Sequence, residues 1–253
     1  MLTLRTDPAA DTTHDTAPDT AHHAGLDASS SLPGAAIELA SAIRAGATLW
    51  CVAPGFDDHA RHLAVEFVHP SSVGARAVPA VAIPTSTVAE MTQELRINVR
   101  AGDVIVSMGD ADSAFVDGLG LRAQAWGAVH LHIGWTARSR GRPNTRFVSV
   151  GPDARSERFL TRAYHLLWEL TFVCLARPSP SPRIGNDDSC AVCSDEAVVA
   201  EITEVNGDRA AVRTACGTVR VDVTLVPPVG VHDLVLVHAG MALRMLDVDG
   251  GGQ

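Results

Sequence analysis

The run ARPSPSPRIGNDDS (176–189) places Pro178, Pro180 and Pro182 on alternate positions. No helix or inner strand passes through such spacing, because each proline removes a backbone N–H and fixes φ. The run reads as a stiff, exposed linker that splits the chain into two bodies. The hydrophobic pattern changes across it. Before the linker, strand-length apolar runs alternate with helical ones. After it, the apolar runs are short, rich in Val and separated by turn signals.

In the first body, GAAIELASAIRAG (34–46) reads as an amphipathic helix ended by Gly46. DDHARHLAVEFV (57–68) and SERFLTRAYHLLWELTFVCLA (156–176) are further helices, the last one mostly apolar. TLWCVA (48–53), AVPAVAIP (77–84), GDVIVSMG (102–109), GAVHLHIG (127–134) and RFVSV (146–150) are strand runs. Strands alternating with helices imply a parallel sheet with right-handed crossovers, an α/β domain of three layers over residues 33–175. Residues 1–32 hold little that could be buried and read as a disordered tail. In the second body, AVVAEITEV, DRAAVRTA, GTVRVDVTLV and DLVLVHAGMALRML are strands. Turn signals at Asn206-Gly207-Asp208 and Cys216-Gly217 separate them, as in a small all-β antiparallel barrel over residues 190–247. Residues 248–253 read as a flexible C-terminus.

Composition narrows the function. The net charge is −9, and the twenty basic residues are all Arg. Nucleic acid and anionic membrane held by a general positive field are both disfavoured. With no lysine, Schiff-base chemistry and a phosphate-loop lysine are excluded. The five cysteines, Cys51, Cys174, Cys190, Cys193 and Cys216, do not form a disulfide-scaffold pattern. The first residues lack an apolar signal core, and no run is long enough to span a bilayer. The expected location is the reducing cytoplasm.

The second body carries a specific resemblance. Asp233-Leu234-Val235-Leu236-Val237-His238-Ala239-Gly240-Met241-Ala242 is similar to the G-D-x-V-L-V-H-x-G-x-A stretch of the HypC/HupF family of hydrogenase-maturation chaperones. His232 stands where that family has Gly, so a different turn is expected before this strand. The resemblance implies an OB-like barrel. It also implies a cysteine ahead of the first strand, binding iron that carries cyanide and carbonyl ligands. The chemical need is a soft thiolate on an accessible end of the chain. Cys193 and Cys190, in Cys190-Ala191-Val192-Cys193, are the candidates. Cys193 is the nearer to the first strand. The family's proline after the cysteine is missing. Implied partners are the [NiFe]-hydrogenase large-subunit precursor and a maturation scaffold protein. His238 is the candidate partner contact, against the alternative of a packed strand-end histidine.

The first body resembles a sugar isomerase (SIS) domain, nearest to phosphoheptose isomerases. In LWCVAPGFDDHARHLAVEFV, Asp58, Ala60, His62, Ala64 and Glu66 fall at places that match the family pattern. The resemblance implies a flavodoxin-type layered fold and a homodimer. It also implies a zinc or other divalent metal site made by His62, Glu66, Glu157 and His165. In an enzyme, Glu66 and His165 would be acid and base. His62 and Glu66 are four residues apart, on one helical face, which also suits a plain surface hydrogen bond. The phosphate loops depart from the family. Pro54 removes an N–H and Phe56 adds bulk in the first; Asp110 and Asp112 replace hydroxyls in the second. Three readings follow: a maturation factor with a degenerate SIS domain for dimerisation or ligand sensing, a metal-dependent sugar-phosphate isomerase-like enzyme, or a non-catalytic sensor of a carbohydrate derivative.

Overall fold

The computed structural model describes residues 32–71, 74–84, 87–109, 114–135, 145–150, 157–177 and 197–246. Residues 1–31 of the expected tail, most of the linker, the acidic loop from Asp110 to Asp112, both thiols of Cys190 and Cys193, and the C-terminal residues from 247 onward lie outside them, while Leu32, the last residue of the expected tail, is buried and begins the first helix.

Strands β1 (Leu49–Val52), β2 (Ala80–Ala82), β3 (Val104–Gly109), β4 (Val129–Gly134) and β5 (Thr145–Ser149) form one sheet in the order β2-β1-β3-β4-β5. Every pairing in it is parallel. This is the flavodoxin-like order, whose switch point lies between β1 and β3. Side chains alternate across the sheet as strand geometry requires. Leu49, Cys51, Val104, Val106, Met108, Leu131 and Ile133 pack under α1 (Leu32–Arg44), α2 (Asp57–Val68) and α5 (Glu157–Ala176). Val52 and Ile105 pack on the other face, under α3 (Val88–Asn98) and α4 (Ala114–Trp126).

The helix ends follow local chemistry. Gly46 takes φ +97° after α1, and its N–H bonds Ile43 O at 3.0 Å while Ala47 N–H bonds Ala42 O at 3.0 Å. That pair of bonds is the Schellman closure that a left-handed glycine permits. Thr87 caps α3, its Oγ1 accepting from Glu90 N–H at 3.2 Å. Helices α3 and α4 have no counterpart among the individually expected elements. Strand β2, at the sheet edge, is shorter than the expected 77–84 run.

The second body is a closed barrel of β6 (Val198–Asn206), β7 (Arg209–Thr214), β8 (Gly217–Asp222), β9 (Leu234–His238) and β10 (Met241–Leu246), in the order β10-β8-β7-β6-β9. It is mixed and not purely antiparallel as expected. It closes through one parallel contact, Met241 with Asp222, where β10 returns beside β8. Ala200, Ile202, Ala210, Val212, Val221, Val235, Val237 and Ala242 fill its core. Before β9, His232 takes φ +79°, a region that favours glycine.

The barrel is docked on α3 and α4. Val199 and Leu234 join the cluster of Met91, Leu95, Leu119 and Trp126. At the centre of this contact Glu201, whose side chain is 1% exposed, accepts from Arg96 Nε at 2.7 Å. Its other oxygen accepts from Trp126 Nε1 at 2.6 Å. Arg213 of β7 reaches across to donate to Arg96 O at 3.0 Å and Val99 O at 2.8 Å. Its guanidinium lies 5.5 Å from the centre of the Trp126 ring. Gly127, at φ +73°, permits the close approach: a Cβ there would stand 3.1 Å from the Ala215 backbone.

Candidate functional site

Helix α2 starts just past β1, at the switch point of the sheet, and α5 packs beside it on the same face. Ala60, Leu63, Ala64 and Phe67 point to the core, so His62 and Glu66 look along the α2–α5 seam. The two are one helical turn apart. From α5, Leu160, Ala163, Tyr164 and Leu167 are buried, and His165 emerges next to them. His62 Nε2 lies 3.0 Å from Glu66 Oε1, His165 Nε2 lies 3.3 Å from the same oxygen, and the two nitrogens are 3.4 Å apart.

These three donor atoms form a nearly equilateral triangle. A tetrahedral ion with metal–ligand bonds of ~2.0–2.1 Å has ligand–ligand edges of ~3.3 Å, so the spacing fits a divalent cation without rearrangement. Two imidazoles and one carboxylate form the donor set of open zinc sites, which keep a fourth position for water or substrate. All three side chains are partly exposed, at 44%, 22% and 35% for His62, Glu66 and His165. The seam is therefore open to an entering ion. Glu157, the fourth residue expected there, is the first residue of α5, and its side chain lies outside the described residues.

A second set of contacts backs the triangle, and sequence reasoning did not find it. Tyr164 OH lies 3.1 Å from His62 Nδ1 and 3.3 Å from His59 Nδ1. Trp168 Nε1 donates to Glu66 O at 2.6 Å. Burial pushes the Tyr164 phenol above its ordinary pKa, opposed by its bond to Thr161 and aided by the Glu66 charge. The available signal was His59, one turn before His62 on the same face, together with the chain's single Tyr placed directly before His165.

The loop after β1 is filled by its own side chain. Phe56 stacks edge-on against Trp135, centres 5.7 Å apart, and covers Gly109 at the end of β3. The crevice where doubly wound sheets bind ligands is thus narrowed by an aromatic ring and lacks the Pro54 N–H.

On the other face of the sheet lies a third buried cluster. Ser107 Oγ is 2.7 Å from His130 Nε2 and 2.8 Å from His132 Nδ1, all within the core. Burial, and then the neighbouring His132, bring the His130 pKa down to about 3. Among the described residues all three side chains are buried, and we read the cluster as structural.

His238, the candidate partner contact, ends β9 half-buried. It sits opposite Met241 across a two-residue turn in which Ala239 and Gly240 both have positive φ, 48° and 78°. Its neighbour Val237 pairs with Val198, the first residue of β6. The ring is therefore at the end of the barrel where the chain enters from Cys193.

Residues 196–251 match the model of the HupF/HypC family. The matched segment begins after Cys190 and Cys193 and spans the whole barrel. No curated protein matches the chain. Among solved structures, a phosphoheptose isomerase from Francisella tularensis is 14% identical, with 59% of this chain and 90% of that chain covered and a TM-score of 0.46. The C-terminal domain of glucosamine-fructose-6-phosphate aminotransferase from Francisella tularensis is 15% identical, with 58% and 42% covered and a TM-score of 0.41. The chain thus pairs a parallel-sheet α/β domain with a closed barrel whose segment matches the HupF/HypC model. The histidine–glutamate triangle belongs to the α2–α5 face, and the barrel is docked on the α3–α4 face.

Proposed function

We propose that this chain is a maturation factor that handles the iron centre of a [NiFe]-hydrogenase large subunit. The observation that carries the reading is the match of the whole barrel to the HupF/HypC family, with His238 at the chain-entry end. Cys193 precedes Val198 by five residues. An extended segment of that length spans at most ~18 Å. In this reading Cys193 or Cys190 grips the iron carrying cyanide and carbonyl as a thiolate. The thiolate is soft enough to bind low-spin iron and, as a single ligand on a linker, releases it to a site with more ligands. Iron is cargo here. His238 contacts the partner, either the large-subunit precursor or the scaffold protein. The SIS-like domain gives the barrel a fixed mount and serves dimerisation.

Anaerobic co-purification tests this. The full chain captures a hydrogenase large-subunit precursor, and His238→Ala or loss of both Cys190 and Cys193 reduces the capture. Equal capture by all variants removes the iron-delivery reading.

A second reading is favoured by the donor triangle at His62, Glu66 and His165: the SIS-like domain holds a divalent metal of its own. When bound, such an ion polarises a carbonyl or hydroxyl oxygen, the chemistry an aldose–ketose isomerisation needs. Glu66 and His165 are the groups positioned to move a proton there. Phe56 and Pro54 argue against a sugar phosphate in the usual crevice, so metal binding without isomerase turnover is the expected result.

A further inference from the structure

We infer that Tyr164 is a positioning residue for the metal site, holding the His62 ring from behind so that its Nε2 faces the ion. This rests on the reading of His62, Glu66 and His165 as a divalent-metal site.

The geometry is specific. His62 presents Nε2 to Glu66 and His165, and Nδ1 points the other way, 3.1 Å from Tyr164 OH. The ring is thus held at both ends. Tyr164 is fully buried, and its ring packs edge-on against His62 with centres 5.5 Å apart. Packing fixes where the hydroxyl stands. Beyond it, His59 Nδ1 lies 3.3 Å away, and Thr161 Oγ1 is a longer contact at 3.5 Å. A line of atoms therefore runs from Glu66 through both nitrogens of His62 to the Tyr164 hydroxyl and on to His59.

A hydroxyl is the right group for this place because it donates and accepts. With no ion, His62 carries its proton at Nε2 and donates to Glu66 Oε1. Its Nδ1 then accepts from the Tyr164 O–H, and the phenol oxygen accepts from His59 Nδ1–H. With an ion at Nε2, that nitrogen must offer its lone pair, so the proton sits at Nδ1. It donates to the phenol oxygen, which still accepts from His59 Nδ1–H, and the Tyr164 O–H turns to Thr161 Oγ1. The Tyr164 oxygen can accept in both states while its own O–H changes partner. A carboxylate in the same position could only accept and would favour one state. Second-contact partners of metal-bound histidines set ring orientation and tautomer in this way, and losing one commonly lowers metal affinity ~10–100-fold.

The test uses the purified full chain. Zinc affinity is measured by competition with a chromogenic chelator, and the visible absorption of the cobalt(II) form reports ligand geometry. Tyr164→Phe keeps the packed ring and removes only the hydroxyl. It is expected to weaken zinc binding ~10–100-fold and to shift the cobalt bands, with the metal-free melting temperature little changed. His59→Ala, which leaves Tyr164 in place and removes its outer hydrogen-bond partner, is expected to weaken binding in the same direction by less. If the unaltered chain binds zinc and both variants match it in affinity and cobalt spectrum, the positioning role is overturned while the metal site stands. If the unaltered chain binds neither ion, the metal reading fails, and this inference with it.

Discussion

Removing Arg96 should loosen the barrel from the α/β domain, and the structure fixes how much. The Glu201 carboxylate is 1% exposed and Arg96 14% exposed, with 2.7 Å between their atoms. Arg96→Ala leaves that carboxylate buried with Trp126 Nε1 as its remaining close donor; the His232 ring is 3.9 Å away. Breaking a buried pair from one side costs about 3–5 kcal/mol. The Trp126 bond offsets part of this, so about 3 kcal/mol is expected. For a chain of this size that lowers the melting temperature by roughly 6–12 °C. The assay is urea unfolding followed by circular dichroism and by Trp fluorescence. Trp126 lies in the contact, so fluorescence should change at lower urea than the helical signal. The double variant Arg96→Leu/Glu201→Leu removes the buried carboxylate with its partner and should recover part of the loss, the remainder reflecting Trp126 Nε1 without its acceptor and Arg213 without its Glu201 neighbour. An Arg96→Ala midpoint equal to that of the unaltered chain, or a double variant no better than the single one, would refute this account of the junction.

Three further outcomes follow. The folded state holds His130 neutral with its pKa near 3, while the unfolded chain takes up a proton near 6.5. That stability is fully present above pH 6.5 and is lost as the pH falls toward 3, by up to about 4–5 kcal/mol. Urea midpoints recorded downward from pH 7.5 should show the decline, and a flat profile between pH 6 and 4 would contradict it. Burial pushes the Cys51 thiol up to about 12, whereas Cys216 is exposed. Mass spectrometry after alkylation of the native protein at pH 8 should find Cys216 labelled and Cys51 unlabelled until urea is added; early Cys51 labelling would show the core to be open. His232→Gly should raise stability by about 1 kcal/mol by relieving the left-handed backbone, read as a higher melting temperature. A lower one would mean that the His232 side chain contributes more than its backbone costs.

How much of this was legible in the sequence depended on how local the signal was. Helix α2 runs from Asp57 to Val68, the bounds its apolar spacing predicts, since Leu63 and Phe67 repeat at helical intervals between the turn at Gly55 and His69. Helix α4 was not legible because Gly118 and Gly120 weaken its propensity and its apolar residues surround it. Helix α3 had a usable sign, the Thr87–Glu90 pair of a capping box. The barrel followed from its Val-rich alternation, but its docking did not. The clue was the unbroken run Leu234-Val235-Leu236-Val237. In a half-exposed strand one face would be polar, and here Val235 and Val237 fill the barrel while Leu234 and Leu236 meet the α/β domain. Of the candidate metal residues, His62 and Glu66 were linked by spacing alone. His165, 99 residues beyond Glu66, was joined to them only by the resemblance, because its place there depends on the α2–α5 packing.

The most direct test of iron handling is infrared spectroscopy with iron analysis on the full chain, purified without oxygen from cells that make a [NiFe]-hydrogenase. The account predicts bound iron with cyanide and carbonyl bands, and loss of both when Cys190 and Cys193 are changed to Ala. Iron-free protein without those bands, or bands that persist after both sulfurs are gone, would contradict it.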